Sequence, residues 1–146
     1  MNVELQAPTP DDERPGVRLG LPADGPGSVS SSGRRALAFA FDALASGLVA
    51  RLVDPVDTSG TLGLSVGLLP LAVLAVVYVV GLLLVGRTPG MQLLGLRVAR
   101  LDGTGVGLVP AALRTALLLL LVPAVITDRD GRGLHDRAAG TAVLRT

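Results

Sequence analysis

Apolar positions in this chain fall into three long runs separated by short polar stretches. Residues 62–85 carry no charge over 24 positions, which is about 36 Å of helix and longer than a hydrocarbon core of roughly 30 Å. That run predicts a full transmembrane helix with some tilt, since its Leu and Val residues outweigh its glycines and Pro70 on the insertion scale. Residues 36–53 predict a second, weaker span. Their eight Leu, Val and Phe residues favour insertion by about 4 kcal/mol, and a central aspartate, Asp42, cancels roughly 2.5 to 3.5 kcal/mol of that. Residues 108–126 form the third run, with Arg114 inside it and Pro110 and Pro123 near its ends. A proline there bends or stops a helix, so this run predicts either a full crossing or a re-entrant segment.

Outside these runs the period changes. Residues 96–101 alternate as a short strand does and run into Asp102-Gly103, a favoured turn pair. Residues 141–145 are the other β-prone run, and an isolated strand in water needs a partner, so the two predict a short cytoplasmic β-ribbon. Thr88-Pro89 reads as a helix cap followed by proline at the first helical position, opening a short interfacial helix that ends near Gly95. Residues 1–33 are rich in Pro, Gly, Ser and Asp without an apolar period, which predicts a disordered tail and leaves 34–146 as the membrane domain. A secretory signal is the competing reading of the first apolar run, but that run lies behind an acidic leader and carries Asp42 in its apolar part. The expected fold class is an all-α integral membrane protein with two full transmembrane helices, a third apolar segment and the ribbon.

Composition supports this class: 49% of residues are hydrophobic, 2% aromatic and 17% charged. All 13 basic residues are arginine and the net charge is +1, too weak a field to draw nucleic acid. With no cysteine and a single histidine, His135, neither a thiolate centre nor a histidine metal cluster can form; no metal and no cofactor is expected. Arginines also set orientation, because cytoplasmic flanks collect them. Arg18, Arg34 and Arg35 precede the first span, Arg87, Arg97 and Arg100 follow the second, and residues 54–60 between the spans have no basic residue. The expectation is a multi-pass cell-membrane protein with a cytoplasmic N-terminus. Arg129, Arg132, Arg137 and Arg145 place the C-terminal tail on the cytoplasmic side as well, which favours the re-entrant form of the third segment, covered by neighbouring helices.

Three blocks carry a resemblance. "RALAFAFD", with Arg35, Ala38, Phe39 and Asp42, is similar to the first-helix signature of the RDD family of bacterial membrane proteins, named for one arginine and two aspartates. "GRTPGMQLLGLRV", residues 86–98, and "RGLHDRAAGTAVLR", residues 132–145, resemble that family's other two blocks. The resemblance covers about residues 34–145 and puts the family's arginine on Arg35 and its aspartates on Asp42 and Asp136. The sequence departs from the family pattern at Met91-Gln92, where relatives often have a basic residue, and in a shorter stretch from Arg114 to Leu134. The resemblance implies a membrane domain, and transport, including sodium/proton exchange, has been suggested for some members.

Candidate chemistry is sparse. Gly103, Gly105 and Gly107 lack the Gly-x-x-x-x-Gly-Lys pattern of a phosphate loop, and no Ser, Cys or second His stands beside His135-Asp136 in a catalytic arrangement. No catalytic residue is expected. Asp136 reads as a turn cap or the partner of a nearby arginine. Asp42 needs a partner in the bilayer, and Arg114, at the same depth from the same face by helix rise, predicts an intramembrane Asp42–Arg114 pair. Small residues Ala38, Ala43, Ala45 and Gly47 permit close helix approach. The function these features favour is a non-catalytic interaction or accessory subunit, whose partners are the lipid bilayer, other copies of the chain or other membrane proteins. The alternative is an oligomeric cation or proton exchanger using Asp42.

Overall fold

A computed structural model describes residues 14–53, 68–120, 128 and 132–146. A 3-10 turn at Val17–Leu19 precedes α1 (Ser32–Val53), α2 (Leu68–Leu84), the short α3 (Pro89–Leu93), β1 (Leu96–Arg100), α4 (Leu108–Leu119), the short α5 (Leu134–Ala138) and β2 (Thr141–Arg145). Helix α1 is the described helix long and apolar enough to cross a membrane. Its 22 residues rise about 33 Å, close to a hydrocarbon core. Helix α2 has 17 described residues, and the start of the 62–85 run lies outside the described residues. So do Pro123 and the end of the third run, of which α4 covers 12 residues.

Helix packing here is inverted relative to a water-soluble bundle. The buried stripe of α1 is Ala38, Asp42, Ser46 and Ala50, spaced four apart on one face, while Leu37, Phe41, Leu44, Leu48 and Leu52 are exposed. Small side chains bring the backbones close, and the large ones face outward, where an apolar surface of this extent suits hydrocarbon rather than water. Of the small residues expected at the contact only Ala38 is fully buried; Ala45 is exposed, and Ser46 and Ala50 take the inner positions. Helix α2 answers with Leu74, Tyr78 and Leu82, Tyr78 meeting Phe39 of α1 edge to face with centroids 6.4 Å apart. Helix α2 also packs on α4, which buries Ala111, Arg114, Thr115 and Leu118; the Thr115 hydroxyl donates to the Ala111 carbonyl at 2.8 Å, so it needs no partner elsewhere.

The expected ribbon forms. β1 and β2 pair antiparallel with Leu96 opposite Arg145 and Arg100 opposite Thr141. Gly86 ends the α2 region in the left-handed conformation, which glycine adopts without a Cβ clash, and its carbonyl accepts from Val98 of β1 at 2.8 Å. At the far end of β1, Asp102 accepts from the Thr104 hydroxyl and backbone N–H; with the hydroxyl bond as the largest cause, its carboxyl titrates below the usual range.

The N-terminal segment departs from expectation. The tail read as disordered through residue 33 instead docks its end on the free edge of β2. Gly27 and Ser30 donate backbone bonds to Arg145 and Val143, Arg145 donates back to Ser28, all at 2.8 to 2.9 Å, and Val29 bridges Leu144. Ser28 and Ser30 are buried. The physical reason is that β2, with Thr141, Ala142 and Val143 wholly buried, must satisfy both backbone edges, and β1 covers only one of them. Deleting residues 2–31 removes those three bonds. At about 1 kcal/mol each, the loss is expected to lower the melting temperature of the detergent-solubilised protein followed by circular dichroism. An unchanged melting temperature would show that this edge contributes nothing.

Candidate functional site

Two buried carboxyls organise the polar interior, and they are satisfied in different ways. Asp42 sits midway along α1 and is 2% exposed. One of its oxygens accepts from the Thr88 hydroxyl at 2.5 Å and the other from the Gly90 backbone N–H at 2.7 Å. Thr88 is at the same time the N-cap of α3, accepting from Met91 N–H at 3.3 Å, with Pro89 in the first helical position. The first turn of a helix has N–H groups without intrahelical acceptors; here the cap residue takes one and a carboxyl from a neighbouring helix takes another. Gly90 makes this approach feasible. A Cβ on it would stand 2.2 Å from the Ala38 carbonyl oxygen and 3.0 Å from the Asp42 carboxyl. Thr88-Pro89-Gly90 is therefore a docking unit: the threonine caps, the proline opens the helix and the glycine lets its backbone lie against α1. Tyr78 of α2 sits against the same group, interacting with both Asp42 and Thr88.

The second carboxyl, Asp136 in α5, is wholly buried. Its Oδ1 lies 2.9 Å from Nε of Arg114 and its Oδ2 lies 3.5 Å from Nη1 of Arg35. His135 Nε2 is 3.5 Å away, and the Thr141 hydroxyl donates to Oδ1 at 3.3 Å. Arg35 also donates from Nη2 to the Ser30 carbonyl at 2.8 Å, so one guanidinium joins α1, α5 and the segment docked on β2. Arg114 is 2% exposed. Its Nε contact with Asp136 is an ion pair out of hydrogen-bond alignment, and its Nη1 has no hydrogen-bond partner among the described residues.

A model of the RDD family matches residues 29–140. The chain belongs to the RDD family. The match spans Arg35, Asp42 and Asp136, the positions onto which the resemblance carries the RDD arginine and aspartates. No curated protein and no solved structure matches the chain. In this RDD domain Arg35 and Asp136, 101 residues apart, come together, whereas Asp42 stands apart from both with its own partners.

The expected Asp42–Arg114 pair is not formed. Both residues are buried, as the depth argument required, but Arg114 pairs with Asp136, and Asp42 takes its two bonds from α3. The expectation assumed that only a basic side chain could compensate a buried carboxyl; a hydroxyl and a backbone N–H aimed at it do so equally well in kind. Thr88 was legible as a cap, but its second role depends on where α1 lies. Asp136 does pair with arginine, though with partners distant in sequence rather than a nearby one. Among the described residues no three His, Asp or Glu side chains gather as a metal site.

These contacts set two expectations. Gly90→Ala drives a methyl into the Ala38 backbone carbonyl, which cannot yield as a flexible side chain would; about 1 to 3 kcal/mol of overpacking cost should appear as a lower melting temperature and faster proteolysis between α2 and β1. Wild-type resistance in that variant would refute the close packing of α3 on α1. For the ion pair, Asp136→Asn should cost about 3 to 5 kcal/mol by leaving Arg114 buried without its counter-charge, and Arg114→Gln should cost less, because Arg35 still faces the carboxylate. The double variant should lose less than the sum, measured as unfolding in a denaturing detergent; additive losses would mean the two groups are not coupled.

Proposed function

We propose that this RDD protein is a multi-pass protein of the cell membrane, with its N-terminus in the cytoplasm, that works as a small non-catalytic interaction or accessory subunit. What supports the reading is the use to which its buried charges are put. Arg35, Asp42, Arg114 and Asp136 hold helices to one another and to the ribbon, and both carboxyls are closed off by internal partners. A group that carries an ion must meet solvent on each side in turn, and releasing either carboxyl would break an inter-element contact. The outward faces of α1 and α2, by contrast, present large apolar side chains to the bilayer and to whatever else lies in it.

Cation or proton exchange is the second reading, favoured by one observation: Asp42 is a carboxyl midway along a helix long enough to span. The two readings separate in purified protein. Vesicles containing only this chain are expected to dissipate an imposed sodium or pH gradient no faster than protein-free vesicles, and a photo-crosslinking residue at Leu48 is expected to give a discrete protein adduct in native membranes. Gradient dissipation that disappears in Asp42→Asn would overturn the accessory role in favour of transport. Neither flux nor an adduct would overturn both.

A further inference from the structure

Beside the first turn of α1 the fold leaves a cavity of about 660 Å³. Its wall includes Ser31, Ser32 and Arg34 from the start of α1, Arg145 from the end of β2, and Asp24. The charges on this wall do not cancel. Asp24 is taken by Arg14, while neither Arg34 nor Arg145 has an ion pair or side-chain hydrogen bond among the described residues. The hydroxyls of Ser31 and Ser32 are equally without a described side-chain partner, and the first N–H groups of α1 lack intrahelical acceptors at the same end. An arginine that serves only to orient a span would snorkel to headgroups without any cavity. Here a second arginine from the other end of the chain is brought to the same wall by the pairing of β2 with residues 27–30.

The helix continues the site downward. Leu37, Phe41 and Leu44 follow Arg34 at steps of three and four residues, so they share its face, and all three are exposed. Two uncompensated guanidinium groups and two hydroxyls at the membrane-facing end of a spanning helix, with an apolar stripe running from them toward the bilayer centre, match an amphipathic anion. We infer that this cavity binds the phosphate headgroup of an anionic phospholipid, with Arg34 and Arg145 gripping the phosphate, Ser31 and Ser32 donating to it, and the acyl chains lying along Leu37, Phe41 and Leu44. Guanidinium suits this task because its planar fork meets phosphate oxygens two at a time. The inference rests on α1 crossing the bilayer and is independent of whether the protein is an accessory subunit or an exchanger.

The test is native mass spectrometry of the full chain released from detergent after titration with dioctanoyl phosphatidylglycerol, dioctanoyl phosphatidylcholine or glycerol 3-phosphate. Phosphatidylglycerol should saturate at one per chain, in preference to phosphatidylcholine, and glycerol 3-phosphate should not compete at matched concentration. Arg34→Gln and Arg145→Gln should each weaken phosphatidylglycerol binding about ten-fold, the loss of one charge-assisted contact, while Arg51→Gln at the other end of α1 should not. Equal losses in all three variants, or none in the first two, would overturn the site. Glycerol 3-phosphate binding as tightly as the lipid, with the same arginine dependence, would overturn the lipid assignment and make this a site for a soluble phosphate. Should the glutamine variants fail to fold, the wild-type protein still decides: affinity must fall as salt is raised, and salt-independent retention would overturn the proposal.

Discussion

Asp136 holds this fold together, because a buried carboxylate in a membrane domain has no water to turn to and must be met by groups the protein itself supplies. Two arginines meet it, Arg35 from the start of α1 and Arg114 from α4. Through them α5 is fixed to both helices, and β2, which follows α5 directly, is delivered to its position beside β1. Remove the carboxylate and two guanidinium groups remain in the interior with one compensating charge fewer, while the Thr141 hydroxyl loses an acceptor. A pair of this kind adds little net stability over apolar packing but strongly penalises any arrangement that separates its members. It therefore selects one arrangement of helices from the many that interchangeable Leu, Val and Ala surfaces would allow.

Asp42 answers a different requirement. The chain must reverse after α2, and the short α3 that follows has too few residues to be stable alone. A carboxyl on α1 accepting from Thr88 and Gly90 gives that turn a fixed seat. The two carboxyls thus divide the work: one joins the distant ends of the sequence through cations, the other anchors the loop between them through a hydroxyl and a backbone N–H. Both are engaged by contacts between elements.

The N-terminal end of α1 gathers what the interior cannot hold. Arg35 turns inward to Asp136 and Ser30, while its neighbour Arg34 turns to the cavity wall, where Arg145 joins it. Adjacent residues on a helix point about 100° apart, so two consecutive arginines divide naturally between the protein's interior and the cavity wall.

Much of this was written in the pattern of residues. The apolar runs, the alternation at 96–101 with the β-prone run at 141–145, and the Thr-Pro cap are local signals; they determined a mostly helical chain, a two-stranded ribbon and a short capped helix, because helix period, strand period and capping depend on neighbours within a few positions. The three-block resemblance singled out Arg35, Asp42 and Asp136 for the same reason, each block being readable alone. Which of these groups touch was decided only by the tertiary structure. Depth from a helix end placed Asp42 and Arg114 at one level but said nothing of the face each helix turns to its neighbour, and that face gave Arg114 to Asp136 and Asp42 to α3. Likewise a Pro-, Gly- and Ser-rich segment carries no period to mark it as an edge strand. Residues 27–30 gain their order from the unsatisfied backbone of β2, a partner more than 100 positions away that composition cannot reveal.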